Sequence, residues 1–311
     1  MKPSQLFLDL LELGGVPHGH EQKYAPLLER YGFQQDQFGN WYKVGQVPVL
    51  ITAHLDTVNT HPGPIQYQVQ YNYVYASGDE PLGADDRAGV ALVLYMSTIR
   101  PDLSYALFIG EEVGMVGSRQ AARAYAHGQW VFQDLTAVVS LDRKGHTDII
   151  ITQAGAPCAS IEFAKALQDQ IPILTSLEHG IYTDSYAFVD LVPNATNLSV
   201  GYFNAHSSKE SQDLAFLDRL GEYLVMADWS YLAEVSRMHP VDRSEVTFKL
   251  RKGYNTVAPP WAFEDDYVSY NTEELAQKLY NRLVTDPAFM VEFVYAVAED
   301  YPEWLSDMLD Q

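Results

Sequence analysis

Cysteine is almost missing from this chain. Of 311 residues only Cys158 carries a thiol, so no internal disulfide can form. A lone cysteine between Pro157 and Ala159 reads as a small buried apolar residue rather than a nucleophile. Positive charge is scarce too: 20 Lys and Arg stand against 41 Asp and Glu, a net charge of −21. Nucleic acid and anionic membranes need basic surface, so neither is expected as a partner, whereas the field would favour cationic or free-amine substrates. No apolar run approaches the ~20 residues that span a bilayer. The amino terminus is apolar from Leu6 to Leu11, but Asp9 and Glu12 interrupt it and no small-residue cleavage site follows. It therefore predicts an amphipathic helix rather than a signal peptide, and a cytoplasmic protein. Repeats and low-complexity tracts are also missing.

What is present suits a large core. Hydrophobic residues make up 47% of the chain and aromatics 13%, which excludes disorder. The pattern predicts helices over 4–13 and 20–31 and short strands near 33–37 and 41–45. Strand 47–53 follows, then a Tyr-rich hairpin within 62–83 and a strongly apolar helix over 86–99. Strands at 105–110, 137–141, 148–153, 171–177 and 196–203 are separated or followed by helices at 117–126, 158–169, 185–191 and 211–236. Strands alternating with helices imply an α/β fold, a three-layer sandwich with a mostly parallel central sheet. Residues 1–238 would form the catalytic domain. Residues 239–311 would be a linker around Thr256–Pro260 and an acidic helical C-terminal appendage, whose Leu275, Leu279, Leu283, Phe289, Phe293 and Val297 make an apolar stripe.

Polar residues of one kind recur where these strands stop. Leu50-Ile51-Thr52-Ala53 runs into His54-Leu55-Asp56, Tyr105–Ile109 into Glu111-Glu112, and Ala137–Leu141 into Asp142. Asp85-Asp86 follows Gly83-Ala84 at a helix start, and His206 follows the strand ending at Phe203. Singly, each has an ordinary explanation: helix-start carboxylates at the positive dipole end, a surface ion pair, a structural histidine. Jointly they do not, because strand ends of an open α/β sheet converge on one crevice. Carboxylates gathered there repel unless a cation sits among them, which points to divalent metal and a two-metal hydrolase. Asp56 would accept from one ring nitrogen of His54 and so orient the other toward the metal.

The motifs Ala53-His54-Leu55-Asp56, Leu82-Gly83-Ala84-Asp85-Asp86-Arg87-Ala88-Gly89, Gly110-Glu111-Glu112-Val113-Gly114, Asp142 and His206-Ser207 resemble those of the co-catalytic dizinc exopeptidase superfamily. Its members include aminopeptidases, peptidase T-like enzymes, and related carboxypeptidases and deacylases. The resemblance implies that Asp85 bridges two metals, one also held by Glu112 and His206 and the other by His54 and Asp142. It also implies a cis peptide after Asp85, with Glu111 as general base and Asp56 as the catalytic residue behind His54. Mixed imidazole and carboxylate donors suit Zn2+, though Mn2+ or Co2+ could occupy the same sites. Peptidase T-like relatives carry an inserted domain between the positions matching Asp142 and His206, and tetrahedral aminopeptidases carry one between those matching His54 and Asp85. Here ordinary β/α units and a short hairpin fill those gaps, as in the single-domain aminopeptidases, and Tyr182–Phe188 resembles their loop before the last strand.

The expected activity is removal of amino-terminal residues from short peptides or aminoacyl substrates. An N-acyl amino acid deacylase or a carboxypeptidase would use the same metal chemistry. A non-catalytic metal-binding interaction protein would have no need of Glu111. Side-chain preference and oligomeric state are left open by the sequence.

Overall fold

Apolar residues alternate between two layers along the central strands, and that alternation sets the architecture. The computed structural model describes residues 2–243. Helix α1 (Pro3–Leu11) is followed by a 3-10 turn (Glu21–Tyr24), helix α2 (Ala25–Arg30) and the short strands β1 (Gln34–Gln35) and β2 (Trp41–Lys43). Strand β3 (Val49–His54) precedes the hairpin β4 (Tyr67–Gln70) and β5 (Tyr73–Ala76). Helix α3 (Ala84–Ile99), strand β6 (Ser104–Phe108), helix α4 (Val116–Ala126) and strand β7 (Ala137–Arg143) follow. Next come β8 (Asp148–Gln153), β9 (Ala156–Pro157), helix α5 (Ile161–Gln170) and β10 (Ser176–Gly180). A 3-10 turn (Asp184–Phe188) leads to β11 (Asn194–Ser199), β12 (Tyr202–Phe203) and β13 (Ser211–Asp213), then to helices α6 (Leu214–Met226) and α7 (Trp229–Met238).

The main sheet has the order β1-β2-β6-β3-β7-β11-β8-β10, with β9 beside β8. Its centre is parallel: β3 pairs β6 and β7, and β7 pairs β11. The β2, β9 and β11–β8 pairings are antiparallel. All six residues of β3 are buried, as a parallel strand covered on both faces requires. Val49, Ile51 and Ala53 join a core with Leu107, Val139, Leu141 and the apolar faces of α1, α3 and α6. Leu50, Ala106, Phe108 and Val138 face the other way, toward Ala121 of α4, Trp130 and Phe188. This period of two places alternate side chains in opposite layers. Cys158 is buried as expected, its thiol donating to the Ile150 carbonyl at 3.4 Å.

Helix α3 lies so close to β7 that Gly89 has no room for a side chain. A Cβ there would press on the Leu141 carbonyl and on both Asp86 carboxylate oxygens. Gly89→Ala is therefore expected to cost about 1–3 kcal/mol, as overpacking does, despite alanine's better helix propensity. Urea unfolding checks this, and a stabilised variant would show that α3 can shift away from the sheet.

Three expected elements are corrected. The helix predicted over 211–236 starts with strand β13, whose residues pair with β5 in a separate antiparallel sheet of order β12-β13-β5-β4. It also breaks at Ala227, because the Asp228 carboxylate caps a new helix by accepting from Tyr231 N at 2.9 Å. The strand expected at 171–177 lies at Ser176–Gly180, since Ile171 and Leu174 are taken into the core by the turn closing α5. The strand expected to run to 110 ends at Phe108, and Glu111 sits in a turn whose carbonyl accepts from Gly114 N and Met115 N. The compact unit containing the sheet runs over Met1–Asp242. The linker and helical stripe expected beyond residue 255 lie outside the described residues.

Candidate metal centre

His54 ends β3 with its ring buried and both nitrogens engaged. Nδ1 lies 3.0 Å from the Asp56 main-chain oxygen, which makes Nδ1–H the donor and turns the lone pair of Nε2 outward. Nε2 faces Asp85 Oδ1 at 3.1 Å and Asp142 Oδ1 at 3.7 Å. The Asp56 carboxylate stands 3.5 Å from Nδ1, but its hydrogen bonds go elsewhere. Oδ1 accepts from Glu111 N at 3.0 Å and Oδ2 from Glu112 N at 3.1 Å. Asp56 thus ties the imidazole at the end of β3 to the acidic turn after β6.

Asp85 stands in the middle. Its peptide bond to Asp86 is cis, as the resemblance implied. While Oδ1 faces His54, Oδ2 faces His206 Nε2 at 3.3 Å. His206 also meets Glu112 Oε1 at 3.2 Å. It is carried by the turn between β12 and β13, in the smaller sheet. The next residue, Asp86, points away: Oδ2 accepts from His54 N and Oδ1 from Gly89 N, both at 3.1 Å.

All five expected ligand residues are therefore brought together, with Glu111 beside them. Four supporting residues escaped the sequence reading. Thr183 Oγ1 donates to Asp142 Oδ2 at 2.5 Å, and Tyr202 OH to Asp142 Oδ1 at 3.3 Å. Asn197 brackets the Asp142 backbone, accepting from its N–H at 2.9 Å and donating to its carbonyl at 2.8 Å. Glu210 accepts from Gly83 N and Asp85 N. The available signals were the stretch Tyr182–Phe188, which contains Thr183, and the position of Glu210 just after the His206 turn.

The donors fit a metal. Ligand atoms of His54, Asp85 and Glu112 lie within 4.8 Å of one another. Glu112 Oε1 is buried without a well-formed hydrogen bond, which in a dry site calls for a cation. Burial, aided by the Asp85 charge, raises Glu112 to about 7. Burial likewise raises Asp184 and Glu210 to about 8 each, and holds Glu111 well above the carboxylate range. Burial alone would lower His206, but Asp85 and Glu112 outweigh it and push the imidazole up to about 12.

These shifts fix the pH behaviour of chelated protein. A carboxylate whose folded pKa exceeds its unfolded value adds stability that is complete below the unfolded value and lost as pH rises through the folded one. For Glu112, Asp184 and Glu210 that window runs from about 4 to about 8. Asp85 and Asp56, shifted down, act only below it. The melting temperature of chelated protein should therefore fall across that window and recover on adding Zn2+ at neutral pH. A flat profile would mean that the carboxylates have ordinary affinities.

No helix among the described residues is long and apolar enough to cross a membrane. Residues 40–190 match the model of peptidase family M28, a stretch that ends before His206. No curated protein sequence matches the chain. Among solved structures, the chain is similar to the aminopeptidase PepT of Bacillus cereus, with 15% identity, a TM-score of 0.59, and 76% of this chain and 98% of that one covered. It is also similar to a Staphylococcus aureus tripeptidase, with 16% identity, a TM-score of 0.57, and 76% and 98% covered. The Pyrococcus horikoshii TET1 peptidase, which can assemble into a tetrahedron or a large octahedral shell, gives 16% identity and a TM-score of 0.57, with 72% and 98% covered. At such identities these likenesses speak for the fold, and the family match covers the strand ends that carry the acidic residues. The chain is thus similar to peptidase family M28 over residues 40–190 and shares its fold with these peptidases.

Proposed function

We propose that this protein is an aminopeptidase that removes amino-terminal residues from short peptides. The observation that carries the proposal is the placement of Asp85, whose two oxygens face two different imidazoles, one beside Asp142 and the other beside Glu112. One carboxylate shared between two donor sets suits a pair of divalent ions, with His54, Asp85 and Asp142 holding one and Asp85, Glu112 and His206 the other. Such a pair, most simply Zn2+, would acidify a water and polarise the scissile carbonyl.

Glu111 is then the general base. It takes a proton from the attacking water and returns it to the departing amine. Its backbone is pinned by Asp56, and burial gives its carboxyl the raised proton affinity that such a shuttle needs. Substrate polarity follows from the surrounding charge. Glu111, Glu112 and Asp184 line an acidic site that favours an α-ammonium over a carboxylate. The two arginines of the core motifs are otherwise engaged. Arg87 is fully buried against the Leu82, Gly83 and Gly14 carbonyls, and Arg143 pairs with Asp148 at 3.2 Å. Neither is placed to receive a substrate's carboxylate, which weighs against the carboxypeptidase and N-acyl amino acid deacylase readings.

Purified protein should carry about two divalent ions per chain, lose hydrolysis on chelation and regain it with Zn2+. Aminoacyl amides should be cleaved and N-acylated ones refused. Stoichiometry that stays at one ion despite excess Zn2+ would reject the paired site. Preference for N-acyl substrates would leave the metals standing but reverse the end specificity.

A further inference from the structure

Glu210 is fully buried, lies outside the proposed ligand set, and spends both carboxylate oxygens on the backbone of the bridging aspartate's loop. Oε2 accepts from Gly83 N at 2.6 Å and Oε1 from Asp85 N at 3.0 Å. The main chain of Glu210 is equally committed. Its N–H donates to the Ser207 carbonyl at 3.1 Å, closing the turn that carries His206, and its carbonyl accepts from Ala76 N at 2.9 Å, fixing that turn to β5. His206 sits in that turn at a φ of 63°, and Ser207 Oγ braces it by donating to the Asn204 carbonyl at 2.8 Å. One residue therefore grips Asp85 from behind with its side chain and anchors His206 with its backbone.

Asp85 lies in the first turn of helix α3, whereas His206 lies in the turn between β12 and β13 of the smaller sheet. The gap between Asp85 Oδ2 and His206 Nε2 is 3.3 Å, and Glu210 is the hydrogen-bonded link that spans it from the rear. By contrast His54 and Asp142 sit on adjacent parallel strands, held by the sheet ladder, by Asp86 and by Asn197.

Resting on the two-ion reading above, we propose that Glu210 is a positioning residue chiefly for one metal position, the one shared by Asp85, Glu112 and His206. Loss of its grip would loosen Asp85, which both positions share, and also His206, which only this position uses, whereas the other position keeps His54 and Asp142 on their own scaffold. Residues that orient metal ligands typically govern affinity by 10–100-fold, so the two positions should separate in affinity when Glu210 is altered.

The test is a titration of metal-stripped protein with Zn2+ against a chromophoric chelator, on wild type, Glu210→Gln, His206→Ala and the double variant. Glutamine has the same shape but sets an amide N–H2 against one of the two backbone N–H groups. In Glu210→Gln the first ion should bind within about threefold of wild type and the second at least about tenfold more weakly. In the His206→Ala background the Glu210→Gln change should add little, since both act on one position. Equal weakening of both ions, or of neither, would overturn the proposal, as would fully additive losses in the double variant. Wild type that binds only one ion would instead overturn the paired-site reading. Should Glu210→Gln fail to fold, Glu210→Asp keeps both acceptors on a shorter arm and should show the same selective loss. Failure of both variants to fold, even with Zn2+ present, would make Glu210 a folding residue and reject the positioning role.

Discussion

Glu111→Gln is expected to lower turnover by about 10²–10⁴-fold while leaving metal content unchanged, and Glu112→Gln to lower metal affinity together with activity. The two side chains are chemically identical neighbours, so only geometry separates them. Glu112 Oε1 meets His206 Nε2 at 3.2 Å and shares that imidazole with Asp85. Glu111 has no contact with either histidine among the described ion pairs, yet its carboxyl is raised by burial and, further, by Asp142, Glu112 and Asp184. It is close enough to feel the site's charge without joining the donor set. Glutamine at 111 keeps the volume and the hydrogen-bonded backbone but cannot take a proton. The measurement is turnover and metal stoichiometry for both variants after dialysis against metal-free buffer. If Glu111→Gln shed metal and Glu112→Gln kept it, the roles would be reversed. A fully active Glu111→Gln would remove Glu111 from the mechanism.

The sequence made the strand-borne part of this site legible and left much of the rest obscure, for a physical reason. His54 and Asp142 sit at the ends of β3 and β7, whose uninterrupted apolar runs announce buried parallel strands. Convergence at strand ends then follows from topology. Side-chain to backbone contacts carry no such periodic mark. Thr183, Asn197 and Tyr202 surround Asp142 from three separate segments, and Glu210 reaches a loop more than a hundred residues earlier. Strand alternation does not explain the divergence of Glu111 and Glu112, because β6 ends at Phe108 and both residues lie in the turn that follows. Likewise the smaller sheet was visible only as its β4–β5 hairpin. β12 and β13 are too short to show a period of two, and Ser211–Asp213 looked like the first turn of a helix.

Asp56 shows how far a residue's role can exceed its motif, and replacing it should damage the site from two sides. The sequence suggests a carboxylate that orients His54. In the structure the main-chain oxygen takes the closer position on Nδ1, at 3.0 Å, with the carboxylate at 3.5 Å. The carboxylate's hydrogen bonds are spent on Glu111 N and Glu112 N. Asp56→Asn retains the main-chain contact to His54, yet it must set an amide N–H2 against one of those two part-buried backbone donors. Leaving a fully buried donor unsatisfied costs about 1–3 kcal/mol, so for these part-buried donors stability should fall by about 1 kcal/mol, toward the low end of that range. The Glu111–Glu112 turn would no longer be held against the end of β3, so base and ligand move together. Metal affinity should fall by about 10–100-fold, and turnover at saturating Zn2+ should still fall short of wild type because Glu111 is misplaced. That second loss separates the two roles. A variant restored to full turnover by excess Zn2+ would mean that Asp56 serves only the metal. One with normal metal affinity and low turnover would mean that it serves only the base. Wild-type behaviour in both would show that the His54 main-chain contact is sufficient and that the acidic turn holds itself.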